Sequence, residues 1–215
     1  MKVSKIITSI ALTAFMFVLP LGSFFYLIFT PQIASFCIGS LWSLLTQPAV
    51  DWQRIKSTKD EDRYTAVWIM AAITVSQMLS VLEWAHFHSQ HIFRWNVLTI
   101  AGVICIVLGG ILRYWAIKTL GRYFTASVSI TDSQKISTAG PYKILRHPSY
   151  TGGLMTVVGT PLVLENTYSV FLALFLMILA YMFRIKAEEK AMIKTFGDLY
   201  RTYQQNTKKL IPLLW

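Results

Sequence analysis

Apolar residues in this chain fall into long blocks with short polar stretches between them. Six blocks can be read: Ile6–Phe29, Ile33–Val50, Tyr64–Trp84, Trp95–Ile117, Thr151–Leu164 and Tyr168–Phe183. A helix crossing the hydrocarbon core needs roughly 20 predominantly apolar residues, and most of these blocks approach or exceed that length. The fifth is short, and Glu165-Asn166-Thr167 leaves only a tight turn before the sixth, which predicts a helical hairpin. The first block follows Lys2 and Lys5 and outlines a signal peptide, but it is too long for a signal core and ends in no small-residue cleavage site. A first transmembrane helix is the better reading, kinked at Pro20 and Gly22, with Pro31 turning the chain into the second. The pattern predicts an all-α, polytopic transmembrane helical bundle.

Composition agrees: hydrophobic residues make up 54% of the 215 and charged residues only 14%, where a soluble domain carries about 25% charge. The formal net charge of +10 raises the question of nucleic acid. The basic residues sit between apolar blocks, as the cytoplasmic loops of membrane proteins do, so membrane lipids are the expected partner and nucleic acid is not. Basic residues occur before the first block (Lys2, Lys5), between the second and third (Arg54, Lys56, Lys59, Arg63), between the fourth and fifth (Lys118, Arg122, Lys135, Lys143, Arg146), and after the sixth. The opposite connections hold only Arg94. This alternation puts both termini on the cytoplasmic side. Cys37 and Cys105 lie within apolar blocks without metal-ligand spacing, so no metal is expected and both read as small buried hydrophobes.

Two stretches are polar enough to leave the bilayer, and both are on the basic side: Lys118 to Tyr150, and the tail from Arg184. In the tail, Ile193, Phe196, Tyr200 and Tyr203 recur at helical spacing, predicting an amphipathic C-terminal helix. The densest run of special residues is Gly140-Pro141-Tyr142 through Arg146-His147-Pro148-Ser149-Tyr150 to Gly152-Gly153. Pro148 excludes helical geometry at His147 and opens the next helix, whose free amides suit a carboxylate. Gly152 and Gly153 admit a flat ligand or another backbone. Arg184 and Glu188 are four apart, the spacing of a simple ion pair. Glu189 is different: it shares the apolar stripe of Ile193 and Phe196, where a carboxylate is costly without a cation or a ligand amine. Arg113 is a basic residue inside a block, facing either the bundle interior or snorkelling to the interface.

The ordered set Gly140-Pro141-Tyr142, Arg146-His147-Pro148-Ser149-Tyr150 and Gly152, then Arg184 to Glu189, then Phe196-Gly197, Tyr200 and Tyr203 resembles the isoprenylcysteine carboxyl methyltransferase family. Its wider superfamily includes phospholipid N-methyltransferases and membrane sterol reductases. The resemblance implies S-adenosylmethionine as methyl donor, bound without a Rossmann fold. Accordingly, no Gly-x-Gly-x-x-Gly fingerprint occurs. It implies Tyr142, Arg146, His147, Tyr150, Gly153 and Glu189 at the cofactor, with Arg184, Glu188 and Arg113 near the reacting groups. The chain then divides into N-terminal transmembrane helices (1–112) and a catalytic region (113–215) whose cofactor pocket faces the cytoplasm. The acceptor would be a prenylated cysteine or similar lipidic acid entering from the bilayer. The rivals are phosphatidylethanolamine N-methylation, with Glu188 or Glu189 as base, sterol reduction with a nicotinamide, and a non-catalytic lipid-binding protein.

Overall fold

The computed structural model describes residues 3–22, 29–46, 64–87, 95–125 and 135–211. Among them the structure is helical: α1 (Val3–Leu21), α2 (Pro31–Thr46), α3 (Thr65–Phe87), α4 (Val97–Leu120), α5 (Pro148–Val163), α6 (Thr167–Phe196) and α7 (Asp198–Asn206), with short 3-10 turns at Gly121–Tyr123 and Gly140–Lys143. No strand is present among these residues, only a one-residue bridge between Leu145 and Lys208. Three helices are long and apolar enough to cross a membrane, at Thr65–Phe87, Val97–Tyr123 and Thr167–Phe196. The six apolar blocks therefore divide into these three and the shorter α1, α2 and α5. The basic loop residues Lys2, Arg54, Lys56, Lys59 and Arg63, and Arg94 opposite, lie outside the described residues, as do the ends of the first two blocks.

One expectation is sharpened and another changes. The first block breaks where the sequence suggested a kink: α1 contains Pro20 and stops at Leu21, and Gly22 takes a positive φ of 51°, while residues 23–28 lie outside those described. The amphipathic tail is not one helix. α6 runs without interruption past the apolar block to Phe196, Gly197 turns the chain at φ 55°, and α7 begins at Asp198. Ile193 and Phe196 thus belong to the spanning helix, and Tyr200 and Tyr203 to the next. The hairpin is as read: α5 and α6 are joined by a tight turn in which Glu165 has φ 58°.

The core is held by close helix approach and by buried hydrogen bonds between helices. α4 and α5 touch backbone to backbone at glycines: a Cβ on Gly102 would stand 2.8 Å from the Gly159 carbonyl oxygen, and one on Gly109 would stand 2.7 Å from that of Gly152. Small residues at such crossings let helices pack where lipid supplies no hydrophobic drive. Gln77 joins three helices, accepting from Ser40 (3.1 Å) and Thr160 (2.6 Å) and donating to the Val157 carbonyl (3.1 Å). At one end, Glu83 accepts from the Ser169 amide at 2.9 Å and so satisfies a free donor in the first turn of α6. Asn166 donates to the Ser80 carbonyl beside it at 2.6 Å. Outward, large apolar side chains such as Phe171, Phe175 and Met182 stand exposed, as expected for a surface solvated by lipid.

Candidate functional site

The site lies at the end of the bundle away from Glu83, where the charge that the blocks exclude is concentrated. Pro148 occupies the first turn of α5, and His147 before it has φ −125° and ψ 54°, outside the helix. This break aims the imidazole back across α6. There α6 has left its apolar stretch and presents Arg184, Glu188 and Glu189. His147 faces both acids, with Nδ1 3.4 Å from Glu188 and Nε2 3.4 Å from Glu189. Glu188 also accepts from the Tyr150 hydroxyl (2.6 Å) and from Arg184 Nε (2.8 Å). Arg184, 3% exposed, donates in turn to Thr65 at the start of α3 (3.1 Å).

Glu189 resolves the cost noted from its place on an apolar stripe, since cations meet it there. It accepts from Arg146 Nε at 2.8 Å, and Lys209 Nζ lies at 3.8 Å. The other donors of Arg146 go to the chain's far end, to the Gln204 carbonyl at 2.9 Å and to that of Thr207. These are carbonyls that the end of α7 leaves without helical partners. The amides of Arg146 and His147 bond to the Lys208 and Lys209 carbonyls, that of Lys208 to Ile144, and Thr151 to Leu210. Tyr203 donates to the Tyr142 carbonyl at 2.8 Å. The loop before α5 and the tail after α7 are therefore fastened together, with Arg146 as the central tie.

Between them is a cavity of about 850 Å³, its mouth included. Tyr142, Arg146, His147, Ser149 and Tyr150 wall it on the loop side, with Arg184, Glu188 and Met192 from α6 and Tyr200 and Tyr203 from α7. Tyr123, Phe124 and Thr125 beyond α4, with Lys135 to Ser137, complete the lining. Burial pushes the Tyr142 and Tyr200 hydroxyls above the usual phenol range, and that of Tyr203 to about 12, so all three stay neutral donors. For His147 burial opposes the charge, but the hydrogen bonds and fields of Glu188 and Glu189 outweigh it and raise its pKa above the ordinary value. Both ring nitrogens face carboxylates, the arrangement an imidazolium fills.

Of the residues singled out from sequence, Tyr142, Arg146, His147, Tyr150, Arg184 and Glu188 share this cavity. Glu189, Gly153 and Arg113 do not line it. Glu189 stands behind Arg146 and His147. A Cβ on Gly153 would meet the Tyr181 hydroxyl at 2.6 Å and Arg113 Nη1 at 3.0 Å, so its space is taken by side chains. Arg113 faces the interior, 1% exposed, and does not snorkel. Its Nε donates to the Thr46 hydroxyl (2.8 Å), Nη2 to the Thr46 carbonyl at the end of α2 (3.3 Å) and Nη1 to the Ser149 carbonyl (2.8 Å). Sequence reasoning did not single out Tyr123, Phe124 and Met192. The signal available was their neighbourhood to the polar segments, which marks a surface but not which side chains turn inward.

An apolar helical bundle with a tyrosine-rich, charge-lined cavity where its longest helix leaves the apolar region defines a membrane-type helical protein with a site at one end. Comparison narrows the class. Residues 102–194 match the isoprenylcysteine carboxyl methyltransferase family; the motif residues from Gly140 to Glu189 lie within that segment, and Phe196-Gly197, Tyr200 and Tyr203 lie beyond it. The chain is 37% identical over 115 residues to protein-S-isoprenylcysteine O-methyltransferase B of Arabidopsis thaliana, a match covering 53% of this chain and 58% of the relative. It is 29% identical over 183 residues to protein-S-isoprenylcysteine O-methyltransferase of Dictyostelium discoideum, covering 84% and 75%. The Saccharomyces cerevisiae protein of the same name is 30% identical over 152 residues, covering 67% and 63%. The chain thus spans less than two thirds of the length of the plant relative.

Proposed function

We propose that this chain is an integral-membrane methyltransferase that uses S-adenosylmethionine to methylate the carboxylate of a prenylated cysteine or similar lipidic acid. The cavity would face the cytoplasm, and residues 113–215 would form the catalytic region. The observation that carries the reading is the joining of His147, Tyr150, Arg184 and Glu188 around one cavity at the end of an apolar bundle. These residues lie within the family-matched segment.

The side chains suit the methyl donor. Tyrosine faces favour a sulfonium cation, arginines a carboxylate, and carboxylates an amine or ribose hydroxyls. Tyr142, Arg146, His147 and Tyr150 would hold the donor, with Glu189 and Gly153 supporting that wall from behind. When bound, S-adenosylmethionine supplies an electrophilic methyl group on sulfur. Arg184 would orient the acceptor's carboxylate, and Arg113 would fix the α4–α5 end beside it. A carboxylate is ionised and nucleophilic at neutral pH, so the work left to the protein is positioning and removal of water.

The same geometry argues against an amine acceptor. Its nitrogen must lose a proton, which requires a base. Glu188 already receives Tyr150, Arg184 and His147, while Glu189 receives Arg146 and His147. With lone pairs so engaged, neither acid is a ready base. The test is incubation of the purified chain with labelled S-adenosylmethionine and either a farnesylcysteine analogue or phosphatidylethanolamine. Base-labile methyl ester formed on the first alone is expected. Label on the phospholipid alone, or binding without transfer to either, overturns the proposal.

A further inference from the structure

Arg184 joins its own helix to two others. Its Nε donates to Glu188 one turn further along α6 (2.8 Å) and to the Tyr150 hydroxyl on α5 (3.2 Å), and its Nη1 donates to the Thr65 hydroxyl at the start of α3 (3.1 Å). Thr65 is 6% exposed and Arg184 3%, so this last bond is made away from bulk water, where polar contacts are electrostatically stronger. Bonds at Nε hold one corner of the guanidinium and let its plane tilt about that corner. The bond at Nη1 holds a second corner and fixes the plane. The plane matters, because a guanidinium recognises a carboxylate through parallel N–H donors that lie in it. Small misplacements of such a group are costly. Arg184 walls the cavity and Thr65 does not; the threonine acts on the cavity only through the arginine.

We propose that Thr65 is a positioning residue for the acceptor: it sets the plane in which Arg184 presents its donors to the acceptor's carboxylate. The inference rests on the reading that Arg184 orients that carboxylate. α3 lies outside residues 102–194, the segment matched to the methyltransferase family. The acceptor side of the site then draws on the N-terminal helices, and residues 113–215 do not complete it alone. Valine keeps the shape of threonine and removes the hydroxyl, whereas serine keeps the hydroxyl, so the two substitutions separate packing from orientation.

The test measures how the full chain, in bilayer discs, binds N-acetyl-farnesylcysteine and the methyl ester of the same compound, which lacks the carboxylate. S-adenosylhomocysteine is present so that no transfer occurs. Thr65→Val should lose affinity for the acid by on the order of tenfold, the loss of one hydrogen bond to a charged group. Its affinities for the ester and for S-adenosylmethionine should stay as in wild type, and Thr65→Ser should keep all three. Should Thr65→Val fold poorly, Thr65→Ala carries the same expectations. In chains labelled with nitrogen-15 arginine, the Arg184 Nε–H signal, identified by its absence from Arg184→Lys, should be sharp in wild type and broadened in Thr65→Val. Equal losses for acid and ester show a general loosening and overturn the proposal, as does undiminished binding of the acid or an unchanged Arg184 signal. A wild-type chain that methylates no carboxylate overturns the earlier reading instead, and the Arg184 signal then decides by itself whether Thr65 holds the guanidinium.

Discussion

Gly109 and Gly110 are neighbours on α4, yet alanine at the two positions should act in opposite directions. A Cβ on Gly109 would lie 2.7 Å from the Gly152 carbonyl oxygen, 2.8 Å from Met155 Cβ and 2.9 Å from the Thr156 nitrogen. Two of these are backbone atoms of α5 and cannot swing aside, so the helices must part by roughly half an ångström or more. Overpacking of this kind costs about 1–3 kcal/mol. Separation also stretches the 2.8 Å bond from Arg113 to the Ser149 carbonyl, and a hydrogen bond to a charged group is worth about 1.5–3 kcal/mol. Better helix propensity returns up to about 1 kcal/mol. The net loss for Gly109→Ala is about 3 kcal/mol, or roughly 6–12 °C in thermal midpoint for a chain of this size. On Gly110 the nearest atoms to the Cβ all belong to the Trp42 ring, with Nε1 at 3.1 Å, and that side chain sits at the lipid-facing surface, 37% exposed, where it can turn. Gly110→Ala should therefore be neutral or gain up to about 1 kcal/mol. Thermal unfolding of the detergent-purified variants, side by side with wild type, decides it. A Gly109→Ala chain as stable as Gly110→Ala would refute the backbone contact between α4 and α5.

Three further outcomes are expected. Glu189→Ala should release Arg146 and Lys209, exposing residues 204–211 to faster hydrogen exchange and weakening S-adenosylmethionine binding by tenfold or more, a coupling worth at least about 1.4 kcal/mol; unchanged exchange in the tail would contradict the tie. His147 has its folded pKa raised above the unfolded value, so the stability it contributes is full below about pH 6.5 and is lost as pH rises through the folded value. Stability measured from acid to alkaline pH should fall over that window in wild type and flatten in His147→Gln. Finally, the buried Tyr181 hydroxyl has no hydrogen-bond partner among the described residues. Tyr181→Phe should be neutral or stabilising by about 1–3 kcal/mol with methyl transfer retained, and a clear loss of stability would show that the hydroxyl is satisfied in solution.

The sequence by itself determined the helical class, the α5–α6 hairpin and the crowding of charge at one end, because all three follow from local periodicity and from what hydrocarbon excludes. It also marked Glu189 as a carboxylate needing a cation, since one turn of neighbours is enough to reveal an apolar stripe. It could not say which cation. Arg146 is 43 positions away, and its approach depends on how α5 and the tail settle against α6. Tertiary structure alone made Arg146 the tie to the Gln204 and Thr207 carbonyls, set Gly109 opposite Gly152 and Gly102 opposite Gly159, and turned Arg113 inward to Thr46 and Ser149. The same applies to α6. Helical spacing persists through Phe196 and Tyr200 alike, and only the positive φ of Gly197 separates the spanning helix from the short one that closes the cavity. Pairing between helices rests on register and close contact across long stretches of chain, and these are properties of the packed bundle that no single window of sequence contains.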